Sequence, residues 1–373
     1  MRLLACDARS LALIALLVGL EGRALAAQTV HPTPDNLPGP PELAAIIRMD
    51  RLSGHHALDS LAMMLRGAKI IFRVGEADGS DDAIFGLVED IAVDERGRMI
   101  VLDSRTRQLR IYTPNGRLVH GVGREGDGPY DFRFPEALEI GQQGRVLVAD
   151  RTNKVKVFRL RGDTLEYEAV IRLEFVPEDM CVLGDRFYLQ AWHSSGTVVH
   201  EYALAGPVRS FGDPYRTPNA LVENQLSDGP VGCSLAGTVL MMPKYLPVLH
   251  GYDLAGRRRW VSRIDSFRPL HITERTGPGG RPEVSYEVKG PFHMAHGITA
   301  LRAPYVLVQI ARSDRSSVRQ RAAYAAVESY VVNALTGDGV FVGEGLPMVF
   351  AAAHGRLYGA VTDPFPQVWV LEF

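Results

Sequence analysis

The chain has little of what usually marks a nucleic-acid partner, a redox centre or a common hydrolase. Its 373 residues include three cysteines, and its formal net charge is −2 at pH 7. So small a charge argues against a nucleic-acid partner, because phosphate binding favours a basic surface. The sequence also contains no Cys-x-x-Cys pair, Gly-x-Ser-x-Gly elbow or phosphate-binding glycine loop. These absences weaken the hypotheses of a redox protein, a typical serine hydrolase and a nucleotide-binding enzyme.

Long apolar runs are equally scarce, and the clearest one lies at the N-terminus. Residues 10–20 (SLALIALLVGL) follow Arg2 and Arg9 and precede the small residues of Ala24-Leu25-Ala26. This order is typical of a secretory signal peptide, and the run is short for a membrane span. We therefore predict a signal peptide over 1–26, an exported protein in the periplasm or outside the cell, and no transmembrane segment in the mature chain.

Cleavage after residue 26 would leave two cysteines, Cys181 and Cys233. Export permits a disulfide between them. A free cysteine also packs as a small hydrophobic residue, and both lie in apolar segments. The sequence favours two buried free thiols and leaves the disulfide as the alternative.

The segment after the signal peptide differs in composition from the rest of the chain. Residues 28–41 are rich in proline and polar residues, which is typical of a flexible leader. Residues 42–65 show helical apolar spacing in two pieces, LAAIIRM and ALDSLAMML. We predict a leader with a short helical segment over 27–66, packed against a main domain over 67–373.

A repeated pattern occupies most of the main domain. The stretch 88–119 and the stretch 135–158 share an apolar strand, a glycine turn and a second, strongly β-forming strand. Six such units align at apolar anchors in their first strands: Ile91, Leu138, Met180, Cys233, Ile298 and Phe350. Repetition of four-stranded units without intervening helices predicts an all-β fold, a six-bladed β-propeller.

The two ends of the domain predict how the ring closes. Residues 69–75 (KIIFRVG) look like the fourth strand of a blade, and residues 368–373 (VWVLEF) look like a third strand. We therefore expect the N-terminal strand to complete the C-terminal blade.

The motif IAVDERGRMIVLDSRTRQLRIYTPNG, followed by GVGREGDGPYDFRFP, resembles the NHL repeat of six-bladed, TolB-like propellers. Asp90, Ala137 and Asp179 stand where that repeat usually has a glycine. The resemblance implies the fold. It leaves the activity open, because such propellers serve as scaffolds, receptors, lyases and lactonases.

First strands line the channel of a propeller, so equivalent positions converge there. Two residues before the anchors stand Glu89, Glu136, Glu178 and His296, with Val231 and Met348 in the other two units. These four polar residues could bind Ca²⁺ or another divalent cation that activates water. Such a site would loosely resemble metal-dependent lactonases and amidating lyases. Solvated contacts at the rim, or pairing with arginine, are the alternative.

Loops after second strands should open on the same face as this site. They carry residues that we predict to contact a ligand: Trp192, His193, Lys244, Tyr245, Arg105 and Arg151. Mixed charge with aromatic rings suits a protein, peptide or glycan. By contrast, we expect Asp103 and Asp150 to accept hydrogen bonds from their own turns.

Two further clusters are weaker candidates. His293 and His296 should point to opposite faces of one strand. Arg312, Arg315, Arg319 and Arg321 could bind an anionic partner, but a solvated loop with Asp314 as the counter-charge is favoured.

Two functions follow from these patterns. The leading hypothesis is an exported binding or scaffold protein that recognises a protein, peptide or glycan at the channel mouth. The alternative is a metal-dependent hydrolase or lyase that uses the Glu and His residues of the channel.

Overall fold

A computed structural model describes residues 29–30, 44–80, 82–217, 219–276, 279, 282–288, 290–313 and 326–373. Before the first blade come β1 (Thr29–Val30), β2 (Ala45–Ile47), helix α1 (His56–Arg66) and β3 (Lys69–Val74). Among the described residues, no helix combines the length and the apolar character needed to cross a membrane.

Each repeat unit forms one antiparallel sheet, and we number these sheets as blades one to six. Blades one to three contain β4 (Val88–Val93), β5 (Met99–Asp103), β6 (Gln108–Tyr112), β7 (Leu118–Val122), β8 (Pro135–Gly141), β9 (Arg145–Asp150), β10 (Lys154–Arg161), β11 (Thr164–Arg172), β12 (Asp179–Leu183), β13 (Arg186–His193), β14 (Thr197–Ala203) and β15 (Gly206–Phe211). A 3₁₀ turn, Gln142–Gly144, joins β8 to β9, and helix α2 (Ala220–Ser227) joins blade three to blade four.

The second half of the ring is interrupted by a hairpin. Blade four contains β16 (Val231–Ser234), β17 (Thr238–Met241), β18 (Val248–Asp253) and β19 (Arg258–Ile264), and the hairpin is β20 (His271–Thr276) with β21 (Pro282–Glu287). Blades five and six contain β22 (Phe292–Ala300), β23 (Tyr305–Ser313), β24 (Ala326–Asn333), β25 (Gly339–Gly343), β26 (Met348–Ala353), β27 (Arg356–Val361) and β28 (Gln367–Glu372). Strand β1 pairs with β20 and so extends the hairpin to three strands.

The ring closes as the sequence predicts. Strand β3 pairs antiparallel with β28, from Val74 opposite Val368 to Lys69 opposite Glu372. The first strands β4, β8, β12, β16, β22 and β26 contact one another in cyclic order, including β26 with β4. The prediction of a six-bladed propeller closed by an N-terminal strand is confirmed.

The apolar core lies between neighbouring blades. One cluster, for example, joins Leu102 and Ile111 of blade one to Leu138 and Val148 of blade two. A comparable cluster fills each of the other interfaces, including the one between blades six and one. Because side chains alternate between the two faces of a strand, each blade packs against both of its neighbours in the ring.

The leader was only partly predicted. Helix α1 forms where expected, and Leu58, Leu61 and Leu65 pack it against blades five and six. The helix predicted around residues 44–50 is wrong, because Ala45–Ile47 is a strand that pairs parallel with β19. Two adjacent isoleucines favour the extended backbone, and Ile47 is buried between blades four and five.

The favoured interpretation of the cysteines is also wrong, because Cys181 and Cys233 form a disulfide. Their Cα atoms lie 5.5 Å apart, on the first strands of blades three and four. Both thiol positions are apolar and buried, as expected, but they face each other across one interface. The bond ties two adjacent blades together near the channel.

Candidate functional site

A central cavity of about 310 Å³ lies at the end of the channel where the first strands begin. All four residues predicted for a metal site, namely Glu89, Glu136, Glu178 and His296, line it. The fold therefore brings together the four side chains that the sequence pattern selected. Lys244 and Asp228, from the loops of blade four, line the same cavity.

The arrangement of these four side chains differs from a metal centre. Within the described ranges, no three His, Cys, Asp or Glu side chains are placed to hold one ion. The Ser104 hydroxyl donates to Glu89 Oε2 at 2.7 Å, and Arg151 pairs with Glu178 Oε1 at 2.8 Å. Pairing with arginine, the alternative considered for these Glu residues, therefore applies to Glu178.

Three more carboxyl groups line the cavity, and the metal hypothesis did not include them: Asp90, Glu139 and Asp179. Asp90 Oδ2 accepts a hydrogen bond from Leu138 N at 2.6 Å, and Asp179 Oδ2 accepts one from Val231 N at 2.8 Å. Each bond reaches the next blade. Asp90 and Asp179 stand in place of glycine in the repeat, and this departure could have identified these two as site residues.

These three carboxyl groups are surrounded by protein and keep only part of their surface open to the channel. Burial raises the pKa of Asp90 to about 7, although hydrogen bonds from Leu138 and Ile91 oppose the shift. Burial likewise raises the pKa of Glu139 and of Asp179 well above the ordinary range, and the charge of Asp90 adds to both shifts. Groups coupled in this way release their protons in successive steps that belong to the whole group of carboxyls rather than to single residues.

Glu178 has a raised pKa for similar reasons. Burial, followed by the negative charge of Asp228, raises the pKa of Glu178 to about 8, and Arg151 and Lys244 oppose the rise. Lys244 Nζ lies 3.7 Å from Asp228 Oδ2. Near neutral pH the raised pKa values therefore favour the protonated form of Asp90, Glu139, Glu178 and Asp179.

Three shallow recesses surround the central cavity, and each shares residues with it. The first recess contains Phe134 and Arg151 and shares Glu89 and Glu136 with the cavity. The second contains Trp192 and His193 and shares Glu178 and Asp228. The third is mostly apolar and shares Glu89, His296 and Phe350. The loops after second strands thus open on the channel-mouth face, as predicted.

The predicted ligand contacts differ in their exposure. Trp192 is partly buried and donates from Nε1 to Glu223 Oε1 at 3.1 Å, and His193 Nδ1 lies 2.8 Å from Ser195 Oγ. Arg105 is exposed at the edge of the face, where its side chain packs on Gly86.

Tyr245 is only 4% exposed, so the expectation of an exposed aromatic ring is wrong there. It packs in a cluster with Val222 of helix α2 and beside Tyr286 of β21. No pattern in the sequence indicated that this helix and this hairpin cover the loop after β17.

The two turn aspartates behave as predicted. Asp103 is fully buried and accepts hydrogen bonds from the backbone N–H groups of Gly86, Leu87, Arg105 and Thr106. Asp150 accepts them from Arg133, Phe134 and Thr152. Both carboxylates hold the loops around the mouth in place.

Among the described residues of the two weaker candidate clusters, only His296 lines the central cavity. His293 is buried beside Glu328, with Nε2 3.2 Å from Oε1, whereas His296 lines the cavity. Arg312 pairs with Glu344 at 3.1 Å. Arg315, Arg319, Arg321 and Asp314 lie outside the described residues.

Comparisons with known proteins support the fold. The model of the DUF5128 family, described as a 6-bladed beta-propeller, matches residues 78–203, about a third of the chain. No curated protein matches the chain.

Solved structures are similar at low sequence identity. A candidate exported protein from Bacteroides fragilis has a TM-score of 0.54 and 9% identity, covering 87% of this chain and 99% of its own. A member of the DUF4221 family from Bacteroides vulgatus has a TM-score of 0.53 and 9% identity, covering 82% of this chain and 97% of its own. The virginiamycin B lyase of Staphylococcus aureus scores 0.44 at 10% identity, covering 82% and 99%. At such identities, the two structures that score above 0.5 show the shared fold, a β-propeller.

Proposed function

We propose that the protein is an exported propeller that binds a protein, peptide or glycan partner on its channel-mouth face. One observation carries the proposal: the central cavity and three surrounding recesses share lining residues and form one continuous concave surface. Concave surfaces with a few polar groups among apolar ones are the usual binding sites of proteins.

The lining of this surface suits an extended partner. Phe134 is 59% exposed beside Arg151 and Glu136, so an aromatic ring and both charge signs face solvent together. Aromatic residues and arginine are enriched at interfaces, where they supply contact area and hydrogen bonds. The recesses are lined by residues of blades one and two, of blades two and three with helix α2, and of blades five, six and one, so they surround the channel mouth.

Three observations support export. Residues 1–26 have the order of a signal peptide, and the disulfide between Cys181 and Cys233 suits an oxidising compartment. A similar structure belongs to a candidate exported protein.

The metal-dependent hydrolase or lyase has less support. Glu89 and Glu178 are held by Ser104 and Arg151, and no described group of three potential ligands is arranged around one point. Binding therefore explains the geometry better than metal catalysis does.

The test is binding of the purified mature protein to peptide and glycan arrays, with two matched variants. Phe134→Ser removes an exposed ring at the mouth, and Leu335→Ser removes a 56% exposed side chain from a turn between third and fourth strands, at the other end of the blades. We expect Phe134→Ser to weaken binding of array ligands about tenfold, as for an interface hot spot, and Leu335→Ser to leave it unchanged.

The proposal would be contradicted by array ligands that bind Phe134→Ser as tightly as the wild type and bind Leu335→Ser more weakly. Chelator-sensitive turnover of lactones or esters by a protein that retains no array ligand would favour the hydrolase instead.

A further inference from the structure

The third recess, which we call the apolar recess, lies between blades five, six and one. It encloses about 260 Å³, and its apolar lining includes Leu346, Pro347, Met348, Phe350, Ala360 and Val361. Small-molecule sites usually enclose about 300–1,000 Å³. The apolar recess is therefore sized for one apolar side chain rather than for a whole cofactor.

Three ionisable residues line the apolar recess, Glu89, His296 and Asp363, and the first two lie where it meets the central cavity. Glu89 and His296 line both the apolar recess and the central cavity, where the carboxyl groups of Glu136 and Asp90 follow. Ser104 Oγ fixes Glu89 by donating to its Oε2. A group that leaves the apolar recess toward the channel therefore meets carboxyl groups at once.

We propose that the apolar recess binds the apolar side chain of a peptide in which a Lys or Arg is the adjacent residue. The cation would enter the central cavity beside Glu89, where seven carboxyl groups and one lysine line the wall, and its charge would favour the ionised form of the neighbouring carboxyl groups. This inference rests on the proposed function and names the partner as a peptide segment with adjacent apolar and cationic residues.

A peptide fits the surface better than a small organic cation does. The first and second recesses continue from the central cavity past Phe134 and past Trp192. They offer room for the residues on either side of the pair. A free amine would fill only the apolar recess and the cavity next to it.

The probe is a fluorescein-labelled, N-acetylated and C-amidated dodecapeptide with a central Lys-Phe between Gly and Ser residues. Its binding to the full mature protein is followed by fluorescence anisotropy. We expect replacement of Lys by Gln, and of Phe by Gly, each to weaken binding about tenfold, since each removes one of the two contacts. Phenethylammonium, which carries both groups without a peptide, should compete at least about tenfold less well than the unlabelled peptide.

Variants assign the two contacts. Glu89→Gln should weaken binding of the Lys-Phe peptide about threefold and leave the Gln-Phe peptide unchanged. Val361→Trp should fill the apolar recess and weaken the Lys-Phe peptide about tenfold, and Leu335→Trp, at the other end of the blades, is its matched control. If Val361→Trp unfolds at a lower temperature than the wild type, its binding result is set aside. The replaced peptides and Glu89→Gln then test the inference.

Each remaining outcome overturns the inference. It is wrong if the Lys-Phe peptide does not bind, if its Gln or Gly replacements bind equally well, or if phenethylammonium competes as well as the peptide. If the inference about the Lys-Phe peptide fails and array ligands still bind Phe134→Ser more weakly than the wild type, the proposed function stands without the inference. If array ligands also ignore Phe134→Ser, the proposed function fails as well.

Discussion

The two halves of the channel mouth are built from the same strands and carry different chemistry. Blades one and three place adjacent acidic pairs at their entrances, Glu89 with Asp90 and Glu178 with Asp179, and blade two places Glu136 before Ala137 there. Blades four to six place Val231, His296 and Met348 at the positions of those glutamates. The first half is therefore acidic, and the apolar recess is lined mainly by blades five and six of the second half, with Leu87, Val88 and Glu89 of blade one.

The same structural contact is made by an acid in one half and by an amide in the other. Asp90 and Asp179 accept a backbone N–H from the next blade. Between blades five and six, Gln309 Oε1 accepts from Val349 N at 2.6 Å, and its Nε2 donates to Pro347 O at 2.9 Å. The fold needs a polar side chain at such an interface, but it does not need a charge.

The largest expected effect comes from the disulfide that joins the two halves. Cys181→Ser with Cys233→Ser removes a covalent bond between positions 52 residues apart. The chain-entropy relation gives a loss of about 4 kcal/mol for a loop of this length. Denaturant unfolding of both proteins with and without a reducing agent measures it. Reduction should destabilise only the wild type, and equal stability of the oxidised proteins would refute the link.

The amide of the neutral half should be the next most sensitive position. Gln309→Leu leaves Val349 N and Pro347 O without their partner in a buried interface. Each unpaired buried group costs about 1–3 kcal/mol, so we expect a loss of at least about 2 kcal/mol in denaturant unfolding. Gln309→Glu is the control, because it keeps one acceptor and should lose less at low pH. A loss below about 0.5 kcal/mol for Gln309→Leu would show that the contact is dispensable.

In the acidic half, we expect a carboxyl group to make the stability of the fold depend on pH. The pKa of Asp90 is raised to about 7 in the folded protein, above an unfolded value of about 3.9. The folded state therefore binds more protons between these values, and stability falls as pH rises from about 4 to about 7. Asp90→Asn removes this dependence and keeps an acceptor for only one of the two backbone N–H groups, Ile91 N and Leu138 N, that Asp90 binds. We expect its stability relative to the wild type to rise by about 1–2 kcal/mol between pH 4 and pH 8.

Thermal unfolding of both proteins from pH 4 to pH 8 tests this expectation. The neighbouring groups Glu139 and Asp179 titrate in both proteins, so the difference between the two curves reports on Asp90 and its coupling to them. Parallel curves would contradict the assignment.

The smallest expected effect concerns the rim of the acidic half. Arg151 is a partly exposed partner of Glu178, so Arg151→Ala should change stability by less than about 1 kcal/mol. It should nevertheless raise the pKa of Glu178 above about 8, because Arg151 opposes the rise. Carbon-detected NMR of the labelled carboxyl groups measures this shift. An unchanged pKa would mean that Arg151 does not contact Glu178 in solution.

The sequence predicted the regular part of the molecule well, because strand and turn signals are local. The six first strands, the second strands and the closing strand β3 all form where the repeat places them. Asp103 and Asp150 likewise could be assigned, since their bonds lie within one turn or its neighbour.

Features that depend on contacts between distant segments could not be predicted. The pairing of β2 with β19, the burial of Tyr245 and the bond between Cys181 and Cys233 each join parts that the repeat does not relate. The convergence of Glu89, Glu136, Glu178 and His296 followed from symmetry. Their separate partners, such as Ser104 and Arg151, did not, because side-chain geometry decides them.

The most direct test of the central claim is hydrogen–deuterium exchange of the mature protein with and without a saturating array ligand. We predict slower exchange at the mouth in both halves, in residues 86–90, 133–136 and 344–350, and no change in the turn around Leu335. Slower exchange confined to that turn, or unchanged exchange across the mouth, would contradict the claim that the acidic and apolar halves form one binding face.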